Sequence, residues 1–321
     1  MNADERQKRA KGVGASEVAA IMGADPHASA LEVYLRKIDP LRPSAAGEPA
    51  YWGTRLQDLI LDEFSRRSGR PVGDRQRVVR SRETKCLWAT LDATAGGDPV
   101  EVKTVGLRQA EQWERAGELG AEGTDEVPTH WLVQATAQLY CAGQDTAWMP
   151  VLIGGQEFRL YRVRRSEQLV VSVVEAVRSF WHDHVRKMVP PAPTTGDAAR
   201  LREVYGLAKG TSIDVDAGFA EAAAAFKALG MLEHRVKDAR EALKVQLLER
   251  MKGAETANLP DGRRVRRVVV NKKTYTVSES SYEQIRVDGG APLEGVLGRY
   301  AQQFAGGLPA STEKANDNGP G

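Results

Sequence analysis

The sequence predicts an α/β protein with a mixed central sheet flanked by helices, followed by a long helix and a β-hairpin extension. Three observations predict it. Three helix-like segments precede three strand-like ones, then helices, two strands and another helix follow, an order that favours helices packed on a sheet. Glycine turns at 95–99 (Ala-Gly-Gly-Asp-Pro) and at Gly154-Gly155 join apolar runs of strand length. The run Pro190-Pro191-Ala192-Pro193 closes that part, and a helical pattern resumes at 216.

Each element rests on its own signal. Residues 16–22 read as a short helix with Ser16 as N-cap, Glu17 in its first turn and Gly23 as the stop. A second helix at 30–37 has Ser29 as cap and Glu32 three residues on, a capping box. Residues 51–68 form an amphipathic helix ended by Gly69, with Leu56, Leu59, Ile60 and Phe64 at helical spacing. Residues 72–80 alternate weakly, as a strand does. Two more strands follow, 86–92 ending in Asp92 and 100–104 carrying Glu101 and Lys103. The side-chain period of two puts Glu101 and Lys103 on one face, with Val100 and Val102 turned into the core.

Residues 107–117 look helical. Pro128 opens a helix through Ala142, with Gly143 as its stop. Strands at 146–153 and 156–163 follow, then a helix over 166–188 with Leu169, Val173, Val177 and Phe180 on one side. Residues 191–215 read as linker, and 216–305 as an accessory region. Within it, 216–252 is a long helix with a rough heptad interrupted by Glu233 and Arg240, so it needs a partner. A hairpin over 256–277 turns at Asp261-Gly262, and 306–321 is expected to be disordered.

Composition excludes several classes. The chain has 321 residues, 27% charged and 41% hydrophobic, the balance of a soluble protein. No apolar run is long enough to span a bilayer, and the polar stretch 1–11 is no secretory signal. Cys86 and Cys141 lie in apolar patterns and are expected as buried thiols in a reducing compartment. The net charge of +2 hides basic clusters at 6–11, 75–82, 159–165 and 263–267. Such clusters suit phosphates held around an acidic centre, and equally suit an ordinary soluble surface.

The chemistry concentrates at Asp92, Glu101 and Lys103. Two carboxylates delivered to one point repel unless a cation lies between them, and oxygen-only ligands favour Mg²⁺. The ordinary alternative for Glu-x-Lys on a strand is a solvated cross-strand pair. Gln134 and Gln138, with His130, fall four apart on one helix face. They either orient a metal-bound water or a nucleotide, or form a polar stripe at solvent. Arg9 and Lys11 before Gly12-Val13-Gly14-Ala15-Ser16 make a candidate phosphate cup at a helix start.

The order Gly14-Ala15-Ser16-Glu17-Val18, Trp52-Gly53 opening a long helix, Thr90-Leu91-Asp92, Glu101-Val102-Lys103 and a helix with Gln134 and Gln138 resembles the YqaJ viral recombinase, or phage lambda exonuclease-like, family. That family belongs to the PD-(D/E)xK nuclease fold, and the resemblance covers about residues 9–188. It implies a nuclease domain over 1–190. Asp92 and Glu101 match metal-ligating acids, and the carbonyl of Val102 completes that set. Lys103 matches the catalytic lysine, and Gln134 the glutamine beside it. Arg9 and Ser16 match positions that hold a 5′-terminal phosphate. The implied activity is Mg²⁺-dependent digestion of one strand of linear duplex DNA from the 5′ end, with Mn²⁺ substituting. It leaves a 3′ overhang for a single-strand annealing protein, and the implied assembly is a homo-oligomer, a ring in the lambda enzyme. A phage or prophage origin follows from the same likeness.

Two departures stand out. The helix after Trp52-Gly53 carries Gln57 where the family has a glutamate near the metals, which weakens a second ion. Ala93 stands where glycine is common. Gln57 therefore also supports a second function, a DNA-binding or recombination scaffold on a degenerate nuclease fold. Gln138 and the hairpin residues Arg264 and Arg266 are candidate DNA contacts. The hairpin arginines serve equally well as charges that protect an edge strand.

Overall fold

The glycines, caps and apolar stripes act where the sequence puts them, with some shifts. The computed structural model describes residues 3–42, 47–206, 210 and 212–267. Residues 268–277 of the expected hairpin and the expected tail at 306–321 lie outside the described residues. The chain forms two units, Met1–Ala208 and Lys209–Gly321.

The first unit begins with α1 (Ala3–Ala10), a helix in the segment read only as polar, and the two-residue strand β1 (Val13–Gly14). Next come α2 (Ala15–Ile21), α3 (Ala30–Ile38) and α4 (Glu48–Ser68). Ser29 caps α3 as expected, accepting the Glu32 N–H at 3.1 Å. Glu32 does not reach back to close the capping box, because its carboxylate is taken by Arg200. Gly69, at φ +66°, ends α4 in the left-handed conformation that suits glycine. The buried stripe of α4 is Ile60, Leu61 and Phe64, while Leu59, expected in it, is 65% exposed.

Five short strands follow: β2 (Arg77–Arg80), β3 (Leu87–Leu91), β4 (Ala93–Ala95), β5 (Asp98–Val100) and β6 (Lys103–Val105). Then come α5 (Leu107–Arg115), α6 (Thr129–Ala142), β7 (Thr146–Ile153), β8 (Glu157–Arg164) and α7 (Glu167–Ser179). Pro128 is the residue before α6 rather than its first, and Gly143 closes that helix at φ +66°. The expected helix over 166–188 changes to a π-helical turn at Phe180–Val185. Within the stretch read as linker, α8 (Ala198–Tyr205) is helical, and Leu201 and Val204 pack against the core.

One sheet has the order β1-β3-β2, with β1 parallel and β2 antiparallel to β3. The other runs β4-β5-β7-β6, with β8 also on β7. The hairpin between β4 and β5 turns on Gly96-Gly97, both at positive φ, as a two-residue loop requires. The expected strand over 100–104 is broken. Val100 lies opposite Trp148 and Lys103 opposite Val151, so β5 and β6 follow one line beside β7 with Glu101 and Val102 as the gap. The strand ending in Asp92 continues as β4, so Asp92 marks its passage from one sheet to the other.

Three apolar clusters hold these layers. The first joins α2, α3, α6 and α7 to β3 through Val18, Leu31, Leu87, Val133 and Val177. The second sets the other side of α6 on β7 and β8 through Leu139, Met149 and Tyr161. The third lays Ile60, Leu61 and Phe64 of α4 on Ala93 and Val100. Helix α6 is thus clamped from two sides over the strands that carry the acids.

The second unit contains α9 (Ala217–Met251), capped by Asp216, whose side chain accepts the Phe219 N–H at 2.8 Å. Strands β9 (Thr256–Asn258) and β10 (Arg264–Arg266) pair antiparallel, with Gly262 at positive φ in the turn.

Gly12 is where backbones come closest. A Cβ there would stand 2.6 Å from the Cys86 carbonyl oxygen, a backbone atom that cannot swing away. Gly12→Ala should lower stability by about 2 kcal/mol, read as a shifted urea midpoint with an unchanged m-value.

Candidate active site

The two interruptions in the strands meet each other. Asp92 projects from the break between β3 and β4, and its Oδ2 accepts the backbone N–H of Val102 at 2.9 Å. This bond holds Val102 off the ladder, while the N–H of Glu101 still donates to Trp148 O at 2.9 Å. Gln76 closes the other side: its N–H donates to the Asp92 carbonyl at 3.1 Å and its Nε2 to Oδ1 at 3.4 Å.

Glu101 is only 6% exposed, and its burial is met by donors. Oε1 accepts from Lys103 Nζ at 2.8 Å and from Gln134 Nε2 at 2.5 Å. Oε2 accepts from Gln138 Nε2 at 2.5 Å. Lys103 also donates to Gln134 Oε1 at 2.8 Å. Glutamines four apart on α6 therefore meet one carboxylate from above the sheet. Burial first, and then the charge of Glu101, push the Asp92 carboxyl up to about 7.

Asp92, Glu101 and Gln134 line a cleft of ≈ 160 Å³ together with Arg9, Ser16, Gln76 and Trp88. Arg9 lies over the Trp88 ring, 5.2 Å from its centroid. The N-cap of α2 is Gly14, not Ser16; Gly14 donates its N–H to Glu17 Oε2 at 2.8 Å, so Ser16 is a first-turn residue with an exposed side chain. The same Glu17 oxygen accepts from Lys37 at 2.6 Å, and Lys37 also donates to the Arg9 carbonyl at 3.0 Å. Burial lowers the Lys37 pKa, against the opposing pull of Glu17.

The structure thus gathers Asp92, Glu101, Lys103, Gln134, Arg9 and Ser16. It does not make Gln138 a DNA contact. That side chain is fully buried, and its polar face is spent on Glu101. Gln57 is half-buried on α4 and does not line the cleft. Arg264 and Arg266 are exposed on β10, in the other unit. Sequence reasoning missed Gln76 and Lys37. The signal for Lys37 was present: it follows Val33 and Tyr34 on the buried stripe of α3, where a cation requires a carboxylate.

The donor set fits a hard divalent cation. It is made of oxygens, and burial, then the charge of Glu101, raise the Asp92 pKa, a cost that a cation between the two carboxylates would offset. Among the described residues no third Asp, Glu, His or Cys joins them.

Residues 6–145 match the profile of the YqaJ-like viral recombinase domain. The Bacillus subtilis (strain 168) protein called Uncharacterized protein YqaJ is 27% identical over 256 residues, covering 77% of each chain. Among solved structures, the alkaline exonuclease LHK-Exo from Laribacter hongkongensis is similar at 16% identity and a TM-score of 0.47, over 64% of this chain and 100% of its own. A putative exonuclease from Eubacterium rectale is similar at 8% identity and a TM-score of 0.46, over 66% of this chain and 94% of its own.

Asp92 also predicts how stability varies with pH. The folded metal-free protein keeps this proton up to about 7, whereas the unfolded chain loses it near 3.8. More protons are bound in the folded state between those values, so the contribution of Asp92 to stability falls as pH rises through that window. Asp92→Asn, which keeps an oxygen for Val102, should remove that fall and raise the Tm of the metal-free protein at pH 8 by about 5 °C. Thermal unfolding at pH 5 and pH 8 measures it.

Proposed function

We propose that this protein is a metal-dependent deoxyribonuclease that digests linear double-stranded DNA from the 5′ end and leaves 3′ overhangs. One observation carries the reading: Asp92, Glu101 and Gln134 share a cleft with Arg9 and Ser16, and Lys103 is bonded to both Glu101 and Gln134. The recombinase profile over residues 6–145 supports it.

In this reading Asp92, Glu101 and the Val102 carbonyl hold Mg²⁺, or Mn²⁺ in its place. The ion supplies Lewis-acid polarisation of the phosphoryl oxygen and acidifies bound water. Lys103, fixed by two acceptors at 2.8 Å, keeps its third N–H for the attacking water or a phosphate oxygen. Gln134 holds Lys103 and Glu101 in one orientation, and Gln138, from the same helix, holds the other oxygen of Glu101. Arg9 and Ser16, which line the same cleft, take the 5′-terminal phosphate and so set the direction of digestion. A single-strand annealing protein would use the product, in a bacterial cytoplasm, and the enzyme would act as a homo-oligomer.

End-labelled linear duplexes carrying a 5′ phosphate or a 5′ hydroxyl, with metal varied, test this. Wild-type protein should release nucleotides from the 5′ end with Mg²⁺ and prefer the phosphorylated end. Lys103→Ala should lose about 10³-fold in cleavage and keep DNA affinity within about twofold. Arg9→Ala should abolish the preference for a 5′ phosphate while leaving slow digestion of either end. Protein that stays inert with Mg²⁺ or Mn²⁺, and is not rescued by Gln57→Glu, would falsify the nuclease reading and leave the scaffold.

A further inference from the structure

Helix α9 carries an apolar seam that is open to solvent along its whole length. Counting from Phe219, steps of three and four reach Ala222, Phe226, Leu229, Glu233, Val236, Arg240, Leu243, Leu247 and Arg250, the a and d positions of an unbroken heptad. Phe219, Phe226, Val236 and Leu243 are 59%, 53%, 58% and 59% exposed. Ala225 and Ala228, on the flank, are buried. The helix spans 35 residues, five heptads, and a seam of three to four heptads already specifies a coiled coil.

The charges on the seam choose the partner. Glu233 and Arg240 both occupy a positions, where a parallel pair of identical helices faces each residue with its own copy. That arrangement would stack glutamate on glutamate and arginine on arginine, with repulsion at both layers. An antiparallel pair sets a against d instead. In the register that overlaps the whole seam, Phe219 faces Arg250 of the second copy, Ala222 faces Leu247, Phe226 faces Leu243, Leu229 faces Arg240, and Glu233 faces Val236. The layers holding Glu233 and the second copy's Arg240 are then four residues apart, about 6 Å along the axis, within reach of two long side chains. Two such pairs form, related by the two-fold axis.

We propose that α9 is a dimerisation element that takes a second copy of this chain as an antiparallel coiled coil, with Glu233 and Arg240 as the pair that fixes its direction. The short residues opposite long ones, Ala222 against Leu247, fit the same register. This assembly is independent of the nuclease reading, since every residue it uses lies in the second unit.

Cysteine cross-linking of the full chain tests it, in a background with Cys86→Ser and Cys141→Ser. Ala222 and Leu247 are exposed, so substitution there spares the fold. Ala222→Cys with Leu247→Cys should give a disulfide-linked dimer under mild oxidation. Either substitution alone should not, because position 222 then lies about 38 Å from its own copy. Glu233→Arg should raise the monomer–dimer Kd by about tenfold, and adding Arg240→Glu should restore it, by sedimentation at varied concentration. Cross-linking by Ala222→Cys alone means a parallel pair and overturns the proposal. Absence of any cross-link overturns it too, whether the seam is then covered within its own chain or the oligomer is held through the first unit. DNA cleavage is measured separately on the same samples, so loss of the dimer and loss of the nuclease are told apart.

Discussion

The hydrogen bond from the Val102 N–H to Asp92 Oδ2 is the point on which the site depends. A backbone donor in a sheet ordinarily belongs to the neighbouring strand. Here a carboxylate takes it, so β5 and β6 part at Glu101 and Val102 although both remain in line beside β7. The same carboxylate lies where β3 becomes β4 and the chain passes between sheets. Two strand breaks are therefore one feature, and it brings two acids together in a place that packing alone would fill with valine or alanine.

Burying that pair has to be compensated. Glu101 receives three side-chain donors, two from α6 and one from Lys103. The position of α6 follows from this need and from the apolar clusters on both its sides. Its glutamines occupy the narrow stripe between those clusters, which explains amides on a helix that is otherwise apolar. Glu17 repeats the solution on a smaller scale, with a backbone N–H and the buried Lys37 on one oxygen. Burial, and then the charge of Glu101, raise the Asp92 pKa, so the cost of the buried pair falls on a group that lines the cleft.

Much of this was legible in the residues, and the failures share a cause. Ser29, Gly69, Gly143 and Gly154-Gly155 act where local chemistry puts them, because caps and turns are decided within a few residues. Lys103 meets Glu101 because the strand period survives the break. What local pattern could not show was decided at a distance. Leu61 rather than Leu59 turns inward because α4 must cover Ala93 and Val100. Gly14 rather than Ser16 caps α2 because Glu17 is drawn to Lys37 from another helix. The break at Glu101 required knowing that Asp92, ten residues from Val102, would claim its N–H. The helix at 198–205 is tied down by Arg200 to Glu32 and by Asp197 to Ser29, contacts 168 residues apart in sequence.

Charge balance then limits what the cleft can hold. Asp92 and Glu101 bring two negative charges and Lys103 returns one. Gln57 is neutral and lies outside the cleft, so α4 brings no acid to this balance from that position. The acids beside it on α4 do not make up the difference. Asp58 and Asp62 are both engaged by Arg75 on the solvent side of the helix. A carboxylate already paired with a guanidinium would have to break that pair and cross to another face of α4 to reach a second ion. The cleft is therefore left with two acids and one lysine, and α4 adds no further carboxylate to them.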